Sequence, residues 1–313
     1  MSFVAPLLLN AQFDGDRVDR FVDEYASLHN IPKQEVREII DRATYQPTII
    51  EKISKPYEGT LTWEKYRDIF MKPDRIEAGV AFWKEHQAVL KRVSENTGIP
   101  PEVIIGIIGV ETKFGRIKGG YKVLDALATL AFGYPKRAGF FKSELEEYIT
   151  LARRENLDLY GTKGSYAGAM GYCQFMPSSY RAYAVSYEEG GNRDLMNSPE
   201  DAIASVANYL KVHRWQRDEP IVIDAYRGDM AKDLNMKSLR PRNSLNYFLG
   251  QGYAPESPLD GEKLVSLMDF DMEDGSLIYK FGLQNFYVIT RYNHSKLYAL
   301  AVVELGSAVK AAM

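Results

Sequence analysis

A single cysteine, Cys173, occurs in the 313 residues. It excludes an internal disulfide framework and a cysteine-based zinc cluster, though not an oxidising compartment. Four histidines, His29, His86, His213 and His294, are scattered without metal-ligand spacing and read as surface or helix-end residues. No apolar run approaches the ~20 residues of a membrane span. Neither charge sign is in excess: 39 Lys+Arg face 42 Asp+Glu, a net charge of −3. Such a balance provides no global field for nucleic acid or anionic lipid. There is no phosphate loop, and Gly250-Gln-Gly252 lacks the third glycine of a dinucleotide fingerprint. In Gly164-Ser165-Tyr166-Ala167-Gly168 a glycine directly precedes the serine, so this is not a nucleophile elbow. A Ser/His/Asp hydrolase therefore has no support. The Met1–Asn10 stretch is an apolar patch broken by Pro6, with no Lys or Arg before it. It has no small-residue cleavage site after it and is not a signal peptide. That leaves a cytoplasmic protein or a trimmed mature form with a new Met.

What is present is an ordinary globular composition, 45% hydrophobic. The length suits about two domains. Tyrosine is unusually frequent: 21 Tyr against 14 Phe and 3 Trp. A tyrosine offers an apolar face and a polar tip, which suits a wet, sugar-like ligand and equally suits a thin core.

Helical spacing dominates the first part of the chain. Val18, Phe21, Val22, Tyr25 and Leu28 form one stripe, and Val36, Ile39, Ile40 and Ala43 form another that ends before Gln46-Pro47. Trp63, Tyr66, Ile69 and Phe70 form a third, and Ile76, Val80, Trp83 and Leu90 a longer fourth. Pro100-Pro101 opens a further helix. Helices are expected at 123–132 and 140–153, then a glycine-rich segment from Gly161 to Pro177. Ser198-Pro199-Glu200-Asp201 reads as a capped helix start. From Trp215 to Phe286 the texture changes to short strands and turns, with Asp274-Gly275 as a hairpin-type turn. A helix from Ser295 to Ala311 ends the chain. The fold class expected is mainly α (α+β). The expected domains are an N-terminal helical one (1–93), a core (94–214 with 287–313) and a small β domain (215–286).

Glu111 is the informative residue. On a helix, Ile104, Ile107, Ile108 and Glu111 share one face, so a carboxyl continues an apolar stripe. Burial raises the pKa of such a group, and a carboxylic acid held near pKa ~6 serves as a general acid for glycosidic cleavage. The alternative is a helix-end carboxylate that caps a neighbour or pairs with Lys or Arg. Gly106 and Gly109 cost this helix about 1 kcal/mol each against alanine, so close packing of another helix or of a ligand should compensate.

The segment Gly109-Val-Glu-Thr-Lys-Phe-Gly115 resembles the catalytic motif of the B-type lytic murein transglycosylases. The resemblance continues through Val123–Phe132, Tyr134-Pro135, Asp201–Leu210 and Arg291–Ala299, and is strongest in Lys163–Tyr180. Its main motifs cover 97–215 and 285–300. The N-terminal block, with Gly79-Val-Ala-Phe-Trp83, is compatible.

The resemblance implies a lysozyme-like helical core with an α domain and a small β domain. It implies cleavage of the β-1,4 bond between N-acetylmuramic acid and N-acetylglucosamine in peptidoglycan, leaving 1,6-anhydromuramic ends. Glu111 matches the single acid and base. Ser165 matches a serine near that glutamate, or is a turn residue among glycines. Gln174 matches a groove position, or braces its loop. Tyr292 and Asn293 match groove residues, with Asn293 alternatively a helix N-cap. Tyr298 matches a tyrosine near the acid, or is core, and Tyr209 is similar. Lys136 and Arg137 follow Tyr134-Pro135 and would meet peptide or lactyl carboxylates, or form a solvated pair.

No cofactor is implied. The family's Asp-rich, calcium-binding loop is degraded in Val185–Leu195: Ser186 and Gly190 stand where acids are expected, leaving Glu188, Asn192 and Glu200 as donors beside Arg193. The implied partners are peptidoglycan glycan strands, not nucleic acid, with a lipid tether or a cell-wall enzyme complex in prospect for a monomer. The substrate places the enzyme in the periplasm, its signal sequence or lipobox lying outside this sequence. Two other readings stay open: a hydrolytic muramidase on the same scaffold, although neither downstream acid, Asp125 or Glu144, has a motif placing it across the groove, and a non-catalytic peptidoglycan-binding protein.

Overall fold

The computed structural model describes residues 13–54, 61–234 and 237–313. Met1–Asn10, with its apolar patch, lies outside the described residues. The chain divides into two compact units, one of Met1–Pro56 with Lys118–Ala182 and one of Tyr57–Ile117 with Tyr183–Met313. Elements are numbered along the whole chain.

The first unit holds helices α1 (Gly15–His29), α2 (Lys33–Asp41) and α3 (Pro47–Ser54), and later α8 (Val123–Gly133) and α9 (Ala138–Arg154). Asp14 caps α1 by accepting from the Arg17 amide, and Asn30 closes it in the left-handed conformation. Four of the five residues expected in the stripe of α1, Val18, Phe21, Val22 and Tyr25, are buried, whereas Leu28 in its last turn is exposed. Helix α8 is buried all round, as its largely apolar sequence demands, with Asp125 and Thr129 its two buried polar residues. Strands β1 (Tyr121–Lys122) and β2 (Lys163–Gly164) pair antiparallel and bring the glycine-rich segment to the start of α8. Helix α10 (Pro177–Tyr183) closes that segment.

The second unit contains α4 (Trp63–Phe70), α5 (Pro73–Glu85), α6 (Gln87–Thr97), α7 (Pro101–Thr112), α11 (Pro199–Val212), α12 (Leu245–Leu249), α13 (Gln284–Thr290) and α14 (Lys296–Ala311). The single stripe expected from Ile76 to Leu90 is two helices. They break at His86, whose imidazole is buried against Phe82 and contacts Glu200 at 3.1 Å. Ser198 caps α11 as expected, accepting from the Asp201 amide.

Between α11 and α13 lie β3 (Val222–Arg227), β4 (Asn243–Ser244), β5 (Tyr253–Pro255), β6 (Leu264–Asp271) and β7 (Leu277–Gly282). They form an antiparallel sheet in the order β4-β6-β7-β3-β5. Asp274-Gly275 makes the β6–β7 turn, with Gly275 at φ 82° and the Ser276 amide on Asp274 Oδ1. Leu267, Phe281, Tyr253 and Val265 fill one side of this sheet together with Leu245 and Phe248 of α12. The short α12 was not legible as a helix, because five residues carry too little periodicity.

Helix α7 crosses α14 at very close range. A Cβ on Gly106 would lie 2.1 Å from the Val302 carbonyl oxygen, and one on Gly306 would lie 2.0 Å from that of Glu102. Packing against α14 is thus what offsets the two helical glycines of α7.

Candidate active site

Glu111 projects from the last turn of α7 and is half-buried. Directly after that helix three residues, Lys113, Phe114 and Gly115, take left-handed φ values of 49°, 59° and 81°. For two non-glycine residues this costs about 1–2 kcal/mol each. Offsetting contacts come from the buried Phe114 ring, which fills the space left by Gly79 and Gly109. Arg75 Nη1 donates to the Gly109 carbonyl at 2.7 Å, and Thr112 Oγ1 accepts from the Gly115 amide. The segment carrying Glu111 is therefore held from several sides.

Tyr298, one turn into α14, donates its hydroxyl to Glu111 Oε1 at 2.6 Å. Its ring is buried. Desolvation, and then the neighbouring Glu111 charge, push its pKa well above the ordinary tyrosine value, so it remains a donor. The Tyr292 ring lies 6.4 Å from that of Tyr298 and nearly parallel to it. Tyr209 packs against Tyr292 at 4.8 Å, and His213 stacks on Tyr209 at 4.1 Å. Tyr183, which sequence reasoning did not single out, completes the group at 4.8 Å from Tyr209. The Tyr209 hydroxyl is committed to the Arg291 carbonyl, so this residue ties α11 to the segment before α14. Asn293 does not cap α14: Ser295 does, accepting from the Tyr298 amide, while the Asn293 carbonyl accepts from the Ser295 amide at 2.7 Å.

In the other unit, Ser165 and Gln174 lie on the glycine-rich segment. Ser165 Oγ accepts from the Ala167 and Ala169 amides at 3.2 and 3.1 Å. Gln174, itself left-handed at φ 48°, donates through Nε2 to the Lys118 and Gly171 carbonyls. Both side chains thus brace their own loop, which leaves the Ser165 hydroxyl proton and the Gln174 amide oxygen to meet a ligand. Gly168 is required here: its φ is 87°, and a Cβ would lie 2.4 Å from Leu127. Lys136 and Arg137 sit exposed on a single 3-10 turn, with the Arg137 guanidinium over the Phe140 ring at 4.2 Å. Cys173 is fully buried in the same segment.

Asp125 and Glu144, the other two acids considered, are buried and occupied. Asp125 accepts from the Thr44 amide at 2.9 Å, and Glu144 accepts from the amide and hydroxyl of Ser178 at 3.0 and 2.6 Å.

The loop after α10 does not fit a calcium ion. Asp201 spends both oxygens on the Tyr187 and Asp194 amides at 2.8 Å. Asp194 accepts from the Met196 and Asn197 amides. Glu200 is turned toward His86 and Ser198, while Glu188 and Asn192 are exposed. Arg193 donates to the Ala184 carbonyl, so a cation is already built in. A calcium cage needs several converging, uncommitted oxygens, and among the described residues no group of three His, Cys, Asp or Glu is arranged to hold a metal.

This mixed α and β architecture is that of the lysozyme-like lytic transglycosylases. The chain belongs to the transglycosylase SLT domain family, whose model matches residues 14–307. As an enzyme it falls in the class of peptidoglycan lytic transglycosylases. It is 41% identical over 299 residues to the membrane-bound lytic murein transglycosylase B of Escherichia coli K12, covering 93% of this chain and 81% of that one. It resembles the Escherichia coli lytic transglycosylase Slt35 solved in complex with calcium, with TM-score 0.86, 40% identity and 99% of each chain covered. It also resembles SltB3 of Pseudomonas aeruginosa solved with NAG-anhNAM-pentapeptide. There the TM-score is 0.82 and the identity 28%, covering 96% of this chain and 80% of that one. No helix among the described residues is long and apolar enough to cross a membrane.

Proposed function

We propose that this enzyme cleaves the β-1,4 bond between N-acetylmuramic acid and N-acetylglucosamine and leaves a 1,6-anhydromuramic end. Glu111 is the single acid and base. As the C1–O bond breaks, the protonated Glu111 gives its proton to the leaving glycosidic oxygen. The carboxylate then takes the proton of the muramyl C6 hydroxyl while O6 bonds to C1, which restores the acid. No water enters, and the substrate's own hydroxyl replaces the second carboxylate of a hydrolase.

The observation that carries this reading is the 2.6 Å hydrogen bond from Tyr298 to Glu111 Oε1. It orients the carboxyl and supports the negative charge left after the first proton transfer. The occupied state of Asp125 and Glu144 favours the lytic over the hydrolytic route. The SltB3 complex with an anhydromuramyl ligand supports the same outcome by analogy.

In this reading Tyr292 and Asn293 line the sugar groove, Tyr209 positions them, and Tyr298 positions Glu111. Ser165 and Gln174 contact the sugar, and Lys136 and Arg137 meet substrate carboxylates. The domains in this reading are a helical N-terminal one (1–93), a core (94–214 with 287–313) and a small β domain (215–286). The enzyme works on glycan strands in the periplasm, as a monomer or with a lipid tether.

Mass analysis of products from purified sacculi tests the proposal. Anhydro ends are expected from the parent enzyme, and a loss of at least 100-fold from Glu111→Gln. Water-added reducing ends, or a Glu111→Gln variant as fast as its parent, would overturn it.

A further inference from the structure

The aromatic row that begins at Glu111 does not end at a wall. It runs through Tyr298, Tyr292 and Tyr209 to His213, and His213 lines a cavity of about 530 Å³. Arg214, Arg240 and Arg291 line the same cavity, together with Gln284. Arg240 also lines a second cavity of about 350 Å³, with Arg242. Four guanidiniums thus border two cavities joined at one residue, in a chain whose net charge is −3. All four side chains are exposed, and among the described residues none of them is in an ion pair.

That arrangement has a chemical meaning. Arginines placed only for solubility are ordinarily interspersed with acids. Here the three segments that converge, the end of α11, the loop before β4 and the end of α13, each bring an arginine. Guanidinium forks match carboxylates two bonds at a time. Burial, assisted by the Arg291 charge, holds His213 below its ordinary value, so the neutral imidazole adds no further cost of like charge.

We propose that these cavities form an anion subsite for the carboxylates of the peptidoglycan stem peptide. A muramyl residue in the groove would send its lactyl-linked peptide past Tyr292 to the neighbouring Arg291, and on to Arg214 and Arg240. The subsite rests on the function proposed above for its place in catalysis, but its binding chemistry does not.

Calorimetric titration of the whole protein with a free stem tetrapeptide tests it. The parent should bind the peptide with salt-sensitive affinity and bind the same peptide with amidated carboxylates at least tenfold more weakly. Arg240→Gln and Arg214→Gln should each weaken binding several-fold at unchanged melting temperature. The ratio of kcat/KM on peptide-bearing to peptide-free strands should also fall several-fold in Arg240→Gln. Equal affinity for the amidated peptide, or full affinity in both variants, overturns the subsite. So does tighter binding of inorganic phosphate or of anionic lipid vesicles than of the peptide. If the peptide binds as described but the parent leaves sacculi uncut, the function falls and the subsite stands. If sacculi are cut and no peptide binds, the reverse holds.

Discussion

Tyr298 donates a 2.6 Å hydrogen bond to Glu111 across the contact between α14 and α7, linking residues 187 apart in sequence. Only because Gly106 and Gly306 let the two helices touch backbone to backbone does the phenol reach the carboxyl.

Tyr298→Phe removes that bond and keeps the ring. A hydrogen bond to a charged group contributes about 1.5–3 kcal/mol, so kcat should fall about 10- to 100-fold. KM on sacculi should change little, because the ring contacts with Tyr292 persist. A variant with unchanged kcat would remove Tyr298 from the mechanism.

Gly106→Ala should destabilise the fold although alanine is the better helix former by about 1 kcal/mol. The added methyl meets the Val302 carbonyl oxygen at 2.1 Å, and overpacking of this kind costs about 1–3 kcal/mol. A lower urea midpoint at unchanged slope is the expected result.

Calcium should not stabilise this protein. The melting temperature should be the same in a chelator and in millimolar calcium, because Asp201 and Asp194 already serve backbone amides. Asp201→Asn places a donor where an amide donates, and should cost about 1–3 kcal/mol. A saturable rise in melting temperature with calcium would contradict the fit described above.

Stability should fall on acidification, in part through His213. Burial lowers its pKa, and the Arg291 charge adds to this against the hydrogen bond with the Tyr209 carbonyl. The unfolded imidazole titrates near pH ~6.5, so below that the unfolded chain binds more protons than the folded one. The contribution is complete above the unfolded value and is lost as pH falls through the lower, folded one. Melting temperatures between pH 7.5 and 5 should decline less steeply in His213→Gln than in the parent.

Much of this was legible in the chain itself. The stripe of α1, the Ser198 cap, the Asp274-Gly275 turn and the apolar face leading to Glu111 are local patterns with local physical causes. The break at His86 was not, because Ile76, Val80, Trp83 and Leu90 keep helical spacing straight through it. Nor was the role of Ser295 as the cap in place of Asn293: two adjacent candidates differ only in where the chain enters α14.

The tyrosine surplus divides in the same way. Tyr25, Tyr148, Tyr180 and Tyr253 are core residues, whereas Tyr183, Tyr209, Tyr292 and Tyr298 assemble beside one carboxyl. By itself the sequence determined most of the longer helices and which acid stands in an apolar face, because those follow from neighbours within a few residues. Tertiary structure alone decided that Glu111 is partnered by Tyr298, that Asp125 and Glu144 are committed elsewhere, and that Arg214, Arg240 and Arg291 share a cavity. Those relations join positions many tens of residues apart, and no periodicity encodes them.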